Sequence, residues 1–437
     1  MKALKKLLAA ALVAALPLAG FAQAPPAEPA KPAEAAPAAP AAPAAAPAAK
    51  PATPLVTVYG TLNVNLQYTE AGDATAGSAS DVSPRFGVSI DSSNVGVRGG
   101  LDVAHGLKAV YQCETAANID GEGVAGLCNR NSRVGLSGGF GTLFYGNWDT
   151  PYKAGAYGTK ADDPFGNTDV FGFQGLMGSP GYGVRSGAFN TAAGQTTAAF
   201  DLRAGNSVAY WSPKVADLVS FKIQWGVDEF RSAVGTVDPM LLSGVVNLDM
   251  GGLSVFAQAE YHEDAYGIRV INAANVSNTA GKDLALRAGA GYEIPVGAGA
   301  FTVMGMVEQL SYTQDDTTVG FKEFSRMAWL LGAKFRTGAH ELRARYTQAL
   351  GPDITAATGT TLPGTAEDDL GAQQITAGYA YHLGKSTQVF LYFSQIMNED
   401  AARYTFGVSG NATVVAMAAA QAGADPMAIG LGLRQSF

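Results

Sequence analysis

The chain has 437 residues, 54 of them glycine, with 9% aromatic and 15% charged residues and a formal charge of −8. So acidic a chain is a poor candidate for binding nucleic acid. Two cysteines without neighbouring histidines make no metal-ligand set, and His105, His262, His340 and His382 are scattered. No HExxH, CxxC or nucleophile-elbow sequence occurs, so neither an enzymatic activity nor a cofactor is expected.

The chain opens with Met1-Lys2-Ala3-Leu4-Lys5-Lys6 and a short run rich in Leu, Ala and Val. A basic stretch before a short apolar one is the pattern of a secretory signal peptide. Gly20-Phe21-Ala22 supplies the small residues that cleavage needs, so residues 1–22 are expected to be removed before Gln23. Residues 23–54 are nearly all Ala and Pro. Proline removes backbone donors and fixes φ, which excludes a continuous helix. This stretch reads as an extended periplasmic arm, a spacer that could also touch peptidoglycan through residues 25–54.

From Leu55 to Phe437 no apolar stretch is long enough for a transmembrane helix. Only helices and closed barrels satisfy their backbone in lipid, so a membrane location would require a barrel. The first strand supports that class. In Val56 to Tyr68 the even positions are apolar or Gly, and the odd ones are mostly Thr, Asn and Gln. In Leu218 to Asp228, Val219, Phe221, Ile223, Trp225 and Val227 share one face, opposite Ser220, Lys222, Gln224 and Asp228. Lys385 to Met397 alternates less cleanly, because Phe390 and Tyr392 fall on the face of Gln388. Alternation alone fits a soluble sandwich, apolar face inward, as well as a membrane barrel, apolar face outward.

Seven short turns are marked by Gly, Pro and Asp: Ala104-His105-Gly106, Gly138-Gly139-Phe140-Gly141, Ser212-Pro213, Asp249-Met250-Gly251-Gly252, Pro295-Val296-Gly297, Thr337-Gly338-Ala339 and His382-Leu383-Gly384. Longer polar or Gly-rich stretches lie between them. Seven short turns and eight long loops make sixteen antiparallel strands with both ends on the periplasmic side, an asymmetry characteristic of bacterial outer-membrane barrels; eighteen strands would need one loop to hide a hairpin. One loop is unlike the others. From Asp149 to about Gly205 alternation is weak and Gly, Asp, Phe and Tyr abound. A loop this long is usually functional.

Five stretches carry a family resemblance: Val56-Thr57-Val58-Tyr59-Gly60; Ser93 to Asp102 running on to Gly106-Leu107-Lys108-Ala109; Asn129 to Leu136 with Phe140-Gly141-Thr142-Leu143; Arg203 to Tyr210 before Ser212-Pro213; and Tyr379 to Thr387 leading to Gly430 to Phe437. In this order the region from Val56 to Phe437 resembles the Gram-negative porins of the betaproteobacterial, neisserial-like type. The resemblance implies a sixteen-stranded transmembrane β-barrel in the outer membrane, a homotrimer, and a third external loop folded into the lumen. It implies surroundings of outer-membrane lipid and lipopolysaccharide, insertion by the barrel assembly machinery with Phe437 as the terminal assembly signal, and passage of ions and small hydrophilic solutes.

It also implies a constriction in which wall arginines oppose loop carboxylates and bias the ions that pass. The candidates are Arg98, Arg130 and Arg203 against Asp162, Asp163 and Asp169. A guanidinium suits a fixed wall charge, since it never deprotonates and makes several hydrogen bonds at once. Asn94 and Asn147 stand where many members have Arg, which leaves the preferred ion sign open. The other readings of the interior are a channel preferring small carboxylates or aromatic acids, motivated by Phe165, Phe171, Phe173 and Tyr182, and a structural barrel tied to the cell wall through its arm. Cys113 and Cys128 flank one external loop of an exported chain, so a disulfide between them is expected.

Overall fold

The computed structural model describes residues 55–121, 126–166, 168, 170–181, 200–227, 240–263, 281–314, 321–356, 369–406 and 421–437. The expected leader and arm, residues 1–54, lie outside the described residues, as do Asp169 and Tyr182.

Sixteen antiparallel strands form one sheet. They are β1 (Thr57–Gly72), β2 (Val82–Ser89 and Asn94–Asp102), β3 (Lys108–Ala116), β4 (Ser132–Gly138), β5 (Gly141–Asp149), β6 (Arg203–Trp211), β7 (Val219–Val227) and β8 (Met240–Met250). The chain continues through β9 (Leu253–Glu263), β10 (Gly281–Val296), β11 (Gly299–Gln314), β12 (Phe321–Thr337), β13 (His340–Ala349 and Asp353–Ala356), β14 (Ala372–His382), β15 (Thr387–Asn398) and β16 (Asp425–Ser436). All seven expected short turns connect strands, and the longer stretches fall between them at the opposite end. Two strands come in two segments because each carries one extra residue against its neighbour. Four residues of β2, Ile90 to Ser93, oppose three of β1. Three of β13, Leu350 to Pro352, oppose two of β12. Such bulges bend a strand without ending its pairing. At the first, side chains replace the ladder: Asn65 Nδ2 and Ser89 Oγ each donate to Asp91 at 2.8 Å, and Ser93 Oγ accepts from the Asn63 amide at 2.8 Å.

The ladder closes. β1 pairs with β16 from Thr61↔Ser436 to Gly72↔Asp425. Closure removes both sheet edges, the condition for a sheet to stand in lipid. Beyond the last register pair, Gly60 and Phe437 exchange amide–carbonyl hydrogen bonds at 3.1 and 3.0 Å. A Cβ on Gly60 would lie 2.6 Å from Phe437 Cζ and 2.8 Å from the Asn94 carbonyl, so only glycine fits beneath the terminal ring.

The side-chain pattern decides between sandwich and membrane barrel. Leu66, Val88, Val134, Tyr145, Phe221, Trp225, Val246, Leu286, Val307, Leu331 and Leu431 are exposed. Their strand neighbours Gln67, Ser89, Gln224, Ser243, Arg287, Glu308, Arg326 and Gln374 are buried. A soluble sandwich would show the reverse; an outward apolar belt around a polar interior is the membrane arrangement. A disulfide joins Cys113 to Cys128 with Cα atoms 4.7 Å apart. Cys113 lies within β3, three residues before its end, and Cys128 in the loop before β4 rather than on that strand.

The seam yields a test. Gly60→Val, or deletion of Phe437, should lower the yield of folded, heat-modifiable barrel in the outer membrane severalfold, while Gly139→Ala, a turn glycine with open space around it, should not. Wild-type yields for both seam variants would show that the seam tolerates the change.

Candidate functional site

The described residues after β5 turn back onto other strands of the sheet. Thr150 caps a single turn, α1 (Pro151–Ala154), accepting from the Lys153 amide at 3.3 Å, with Pro151 supplying a preset φ at its start. From there the described residues up to Gly181 run against the polar, buried face of strands β8 to β16. The Tyr152 amide donates to Ser243 Oγ at 3.0 Å, and the Lys160 amide to Ser254 Oγ at 3.2 Å. Arg343 Nη1 donates to the Pro164 carbonyl at 2.7 Å, and Gln374 Nε2 to the Gly172 carbonyl at 3.4 Å.

Glu308 on β11 holds both arms of this segment. Its Oε2 accepts from the Tyr152 hydroxyl at 2.7 Å and from Arg287 Nη2 at 2.6 Å; its Oε1 accepts from the Gly178 amide at 2.7 Å. Arg326 reaches the same Oε1 at 3.3 Å and also donates to the Ser179 carbonyl. The Glu308 and Arg326 side chains are fully buried, and Arg287 is nearly so. A buried carboxylate is tolerated only when its lone pairs are met this fully. Arg287 also lies over the Tyr152 ring at 4.2 Å and the Phe173 ring at 4.8 Å. A second anchor is Asp163. It takes Arg345 Nη1 at 2.6 Å and the Phe165 and Phe173 amides at 3.1 Å each.

Close approach needs room on the wall, and glycine supplies it. A Cβ at Gly430 would meet Phe171 Cζ at 2.7 Å, and one at Gly291 would collide with the Lys160 carbonyl. Phe165 and Phe171 pack edge-on against Tyr392 at 5.2 and 5.5 Å, and Phe390 stacks on Tyr392 at 4.4 Å. This explains the blurred alternation of β15: its polar face carries two aromatics because the segment sits on them.

The expected site residues occupy three places. Arg130 precedes β4 and donates through Nε to Glu114 Oε1 at 3.0 Å; Glu114 also accepts from Tyr59. Arg203, at the start of β6, pairs with Asp149 at 3.0 Å and donates to Asn131 at 3.1 Å. Both arginines thus pair with carboxylates of their own wall. Arg98 is exposed on β2, its guanidinium 4.6 Å from the Tyr59 ring centroid. On the segment, Asp163 is tied to Arg345 of β13. Asp162 is half-buried, accepts from the Gly158 amide at 2.9 Å, and faces Lys334 and Arg434. Withdrawal from water, with the charge of Asp163 adding to it, pushes its carboxyl up to about 7 against the pull of the Gly158 amide and Lys334. At the segment's exit the Asp201 carboxyl is pushed up to about 6 by burial, opposed by Arg287 3.5 Å away. Asn147, at a position where many members of the resembled family have Arg, donates to the Asn129 and Arg130 carbonyls at 3.3 and 3.2 Å.

Sequence reasoning missed Arg287, Arg326, Arg343, Arg345 and Glu308. The signal was present in the strand period: in Leu284-Ala285-Leu286-Arg287-Ala288 and Leu342-Arg343-Ala344-Arg345-Tyr346 the arginines alternate with outward positions. What the period could not reveal is which of them meet the loop.

The profile of the Gram-negative porin family matches residues 33–401. The chain belongs to that family. Outer membrane porin protein 32 of Delftia acidovorans is 26% identical over 392 residues, covering 87% of this chain and 94% of that one. Major outer membrane protein P.IB of Neisseria gonorrhoeae is 38% identical over 98 residues, 22% of this chain and 28% of that one. Among solved structures, an anion-selective porin from Comamonas acidovorans superposes with a TM-score of 0.63 at 24% identity, covering 87% of this chain and 99% of that one. The porin is therefore an outer-membrane channel for passive diffusion, and not an enzyme.

Glu308→Gln should loosen the loop of this porin. Removing one partner of a buried ion-pair cluster costs about 3 kcal/mol. Single-channel recording should show a noisier open state than wild type. Wild-type noise and thermal stability together would remove Glu308 from the anchor.

Proposed function

We propose that the described part of the segment after β5, residues 150–166, 168 and 170–181, narrows the lumen as a constriction loop, and that water and solutes pass between its less anchored side and the opposite wall. The observation that carries this is uneven attachment: the described part of the loop is bonded mainly to β8 through β16, with α1 also beside β7 and Lys153 paired with Asp149 of β5, so the wall of β1 to β4, where Arg98 and Arg130 stand, is the one across from it. The passing solutes are ions and small hydrophilic molecules, and the working form is a homotrimer, embedded through the exposed apolar belt of each barrel. In this reading residues 1–22 are removed on export and residues 23–54 remain as a periplasmic spacer.

The charge balance supports a preference for anions. Among the described residues Glu114, Asp149, Asp163, Glu308 and Glu341 each pair with an arginine. Arg98, Lys334, Arg336 and Arg434, all on the polar face, stand in no ion pair among the described residues. Four cations on the wall thus stand without a paired carboxylate although the chain as a whole is acidic. The fixed charge near the narrowest section, not the net charge of the protein, sets ion preference.

Two measurements test the constriction. In planar bilayers under a KCl gradient, Arg130→Glu should move the reversal potential toward cations, because it reverses one wall charge and leaves Glu114 unpaired. An unmoved potential would place Arg130 away from the ion path. The second test uses pH. Asp162 is charged above about pH 7 and neutral below it, so acidification through that range removes one negative charge from the loop. Anion preference should rise as pH falls, and Asp162→Asn should hold the acid-side value across the range. Identical pH profiles for the two proteins would exclude Asp162 as the titrating group.

A further inference from the structure

One group of side chains plays no part in anchoring the loop. Arg133 on β4, Phe144 and Trp148 on β5, Trp211 on β6 and Lys222 on β7 meet on the polar face of these four neighbouring strands. The register joins them: Arg133 lies opposite Gly146, Thr142 opposite Trp211, and Trp211 opposite Lys222. The Arg133 guanidinium lies 4.6 Å from the Trp211 ring centroid, 4.7 Å from Trp148 and 5.0 Å from Phe144. The three rings meet edge-to-face, with centroids 5.0 to 5.4 Å apart, and form a cup rather than a stack. Lys222 Nζ lies over Trp211 at 5.2 Å.

No carboxylate serves this cluster. The fully buried arginines among the described residues are served otherwise: Arg287, Arg326 and Arg345 pair with Glu308 or Asp163. Arg133 and Lys222 form no ion pair among the described residues, and Arg133 Nε and Nη1 are buried without a hydrogen-bond acceptor. Ring faces attract a cation but replace only part of what a carboxylate supplies. Arg98, also without an ion pair, adds a further positive charge nearby. Trp148, Trp211 and Lys222 are each half-buried, so the cluster keeps a face toward the lumen.

We propose that Arg133 with Trp148, Trp211 and Lys222 is a binding subsite on the channel wall for planar aromatic carboxylates. The carboxylate accepts from the arginine and lysine, which lack a counter-ion, and the ring stacks on the indoles that hold the guanidinium. Acetate would satisfy the charge alone and benzyl alcohol the ring alone. The subsite rests on the channel reading, since a solute must enter the lumen to reach it.

The test records chloride current through the full-length purified porin in planar bilayers, titrated with benzoate, acetate or benzyl alcohol. Benzoate should halve the current at a concentration about fivefold below that of acetate, and benzyl alcohol should have no effect. Trp211→Leu and Arg133→Gln should bring benzoate to the acetate value, each normalised to its own chloride current, whereas Trp211→Phe should keep part of the preference. In parallel, benzoate should quench tryptophan emission of the detergent-solubilised protein, and Arg133→Gln should abolish the quenching. Equal block by benzoate and acetate, or a benzoate preference that survives both variants, would overturn the subsite. Absence of chloride current steps would instead overturn the channel reading, and the quenching experiment would still report on the cup.

Discussion

A single buried carboxylate organises the interior of this porin. Glu308 receives the Tyr152 hydroxyl where the long loop begins, the Gly178 amide near its far end, and two arginines from the strands on either side. Each of these groups would be costly to bury alone. Together they satisfy one another, so the loop, the wall arginines and the carboxylate are stable only as a set. Removing Glu308 would leave two buried arginines without this carboxylate, and removing a donor would leave Glu308 short of a hydrogen bond. The glycines of the facing strands and the ring cluster at Phe165, Phe171 and Tyr392 then fill the contact between loop and wall.

The same polarity inversion that makes the barrel stable in lipid makes this set possible. Outward positions carry Leu, Val and aromatic residues because no water competes there. Inward positions are thereby left to polar side chains, which can be paired, left unpaired or turned toward solutes. Arg287, Arg326 and Arg345 are paired and hold the loop. Arg130 and Arg203 are paired with carboxylates of their own wall and hold the strand ends. Arg98, Arg133 and Arg434 have no carboxylate partner among the described residues.

Much of this was legible beforehand, for physical reasons. Turn chemistry at Gly106, Gly141, Gly251, Gly297 and Gly338, each with positive φ, located five of the seven tight turns. The two-residue period from Val56 to Tyr68 separated the two faces over most of β1, and export of two cysteines around one loop pointed to their bridge. The bulges at Asp91 and Leu350 were not legible, because one extra residue leaves the composition of a strand unchanged. Nor were the partners of the inward arginines. Arg345 and Asp163 are 182 residues apart, and the strand period carries no information about which loop residue will reach a given wall position. Family likeness drew attention to Arg130 and Arg203, yet the charges that hold the loop lie on β10 to β13, outside the stretches that carried it.

The central claim is that the loop lies against the inner wall, and proximity tests it most directly. Pro164→Cys combined with Gly332→Cys places one thiol on the loop and one on β12, at positions where a Cβ on Gly332 would stand 3.4 Å from the proline ring. A short bifunctional thiol reagent should join them within the folded, heat-modifiable barrel while leaving an open channel. Failure of the pair to cross-link in correctly folded protein would contradict the account.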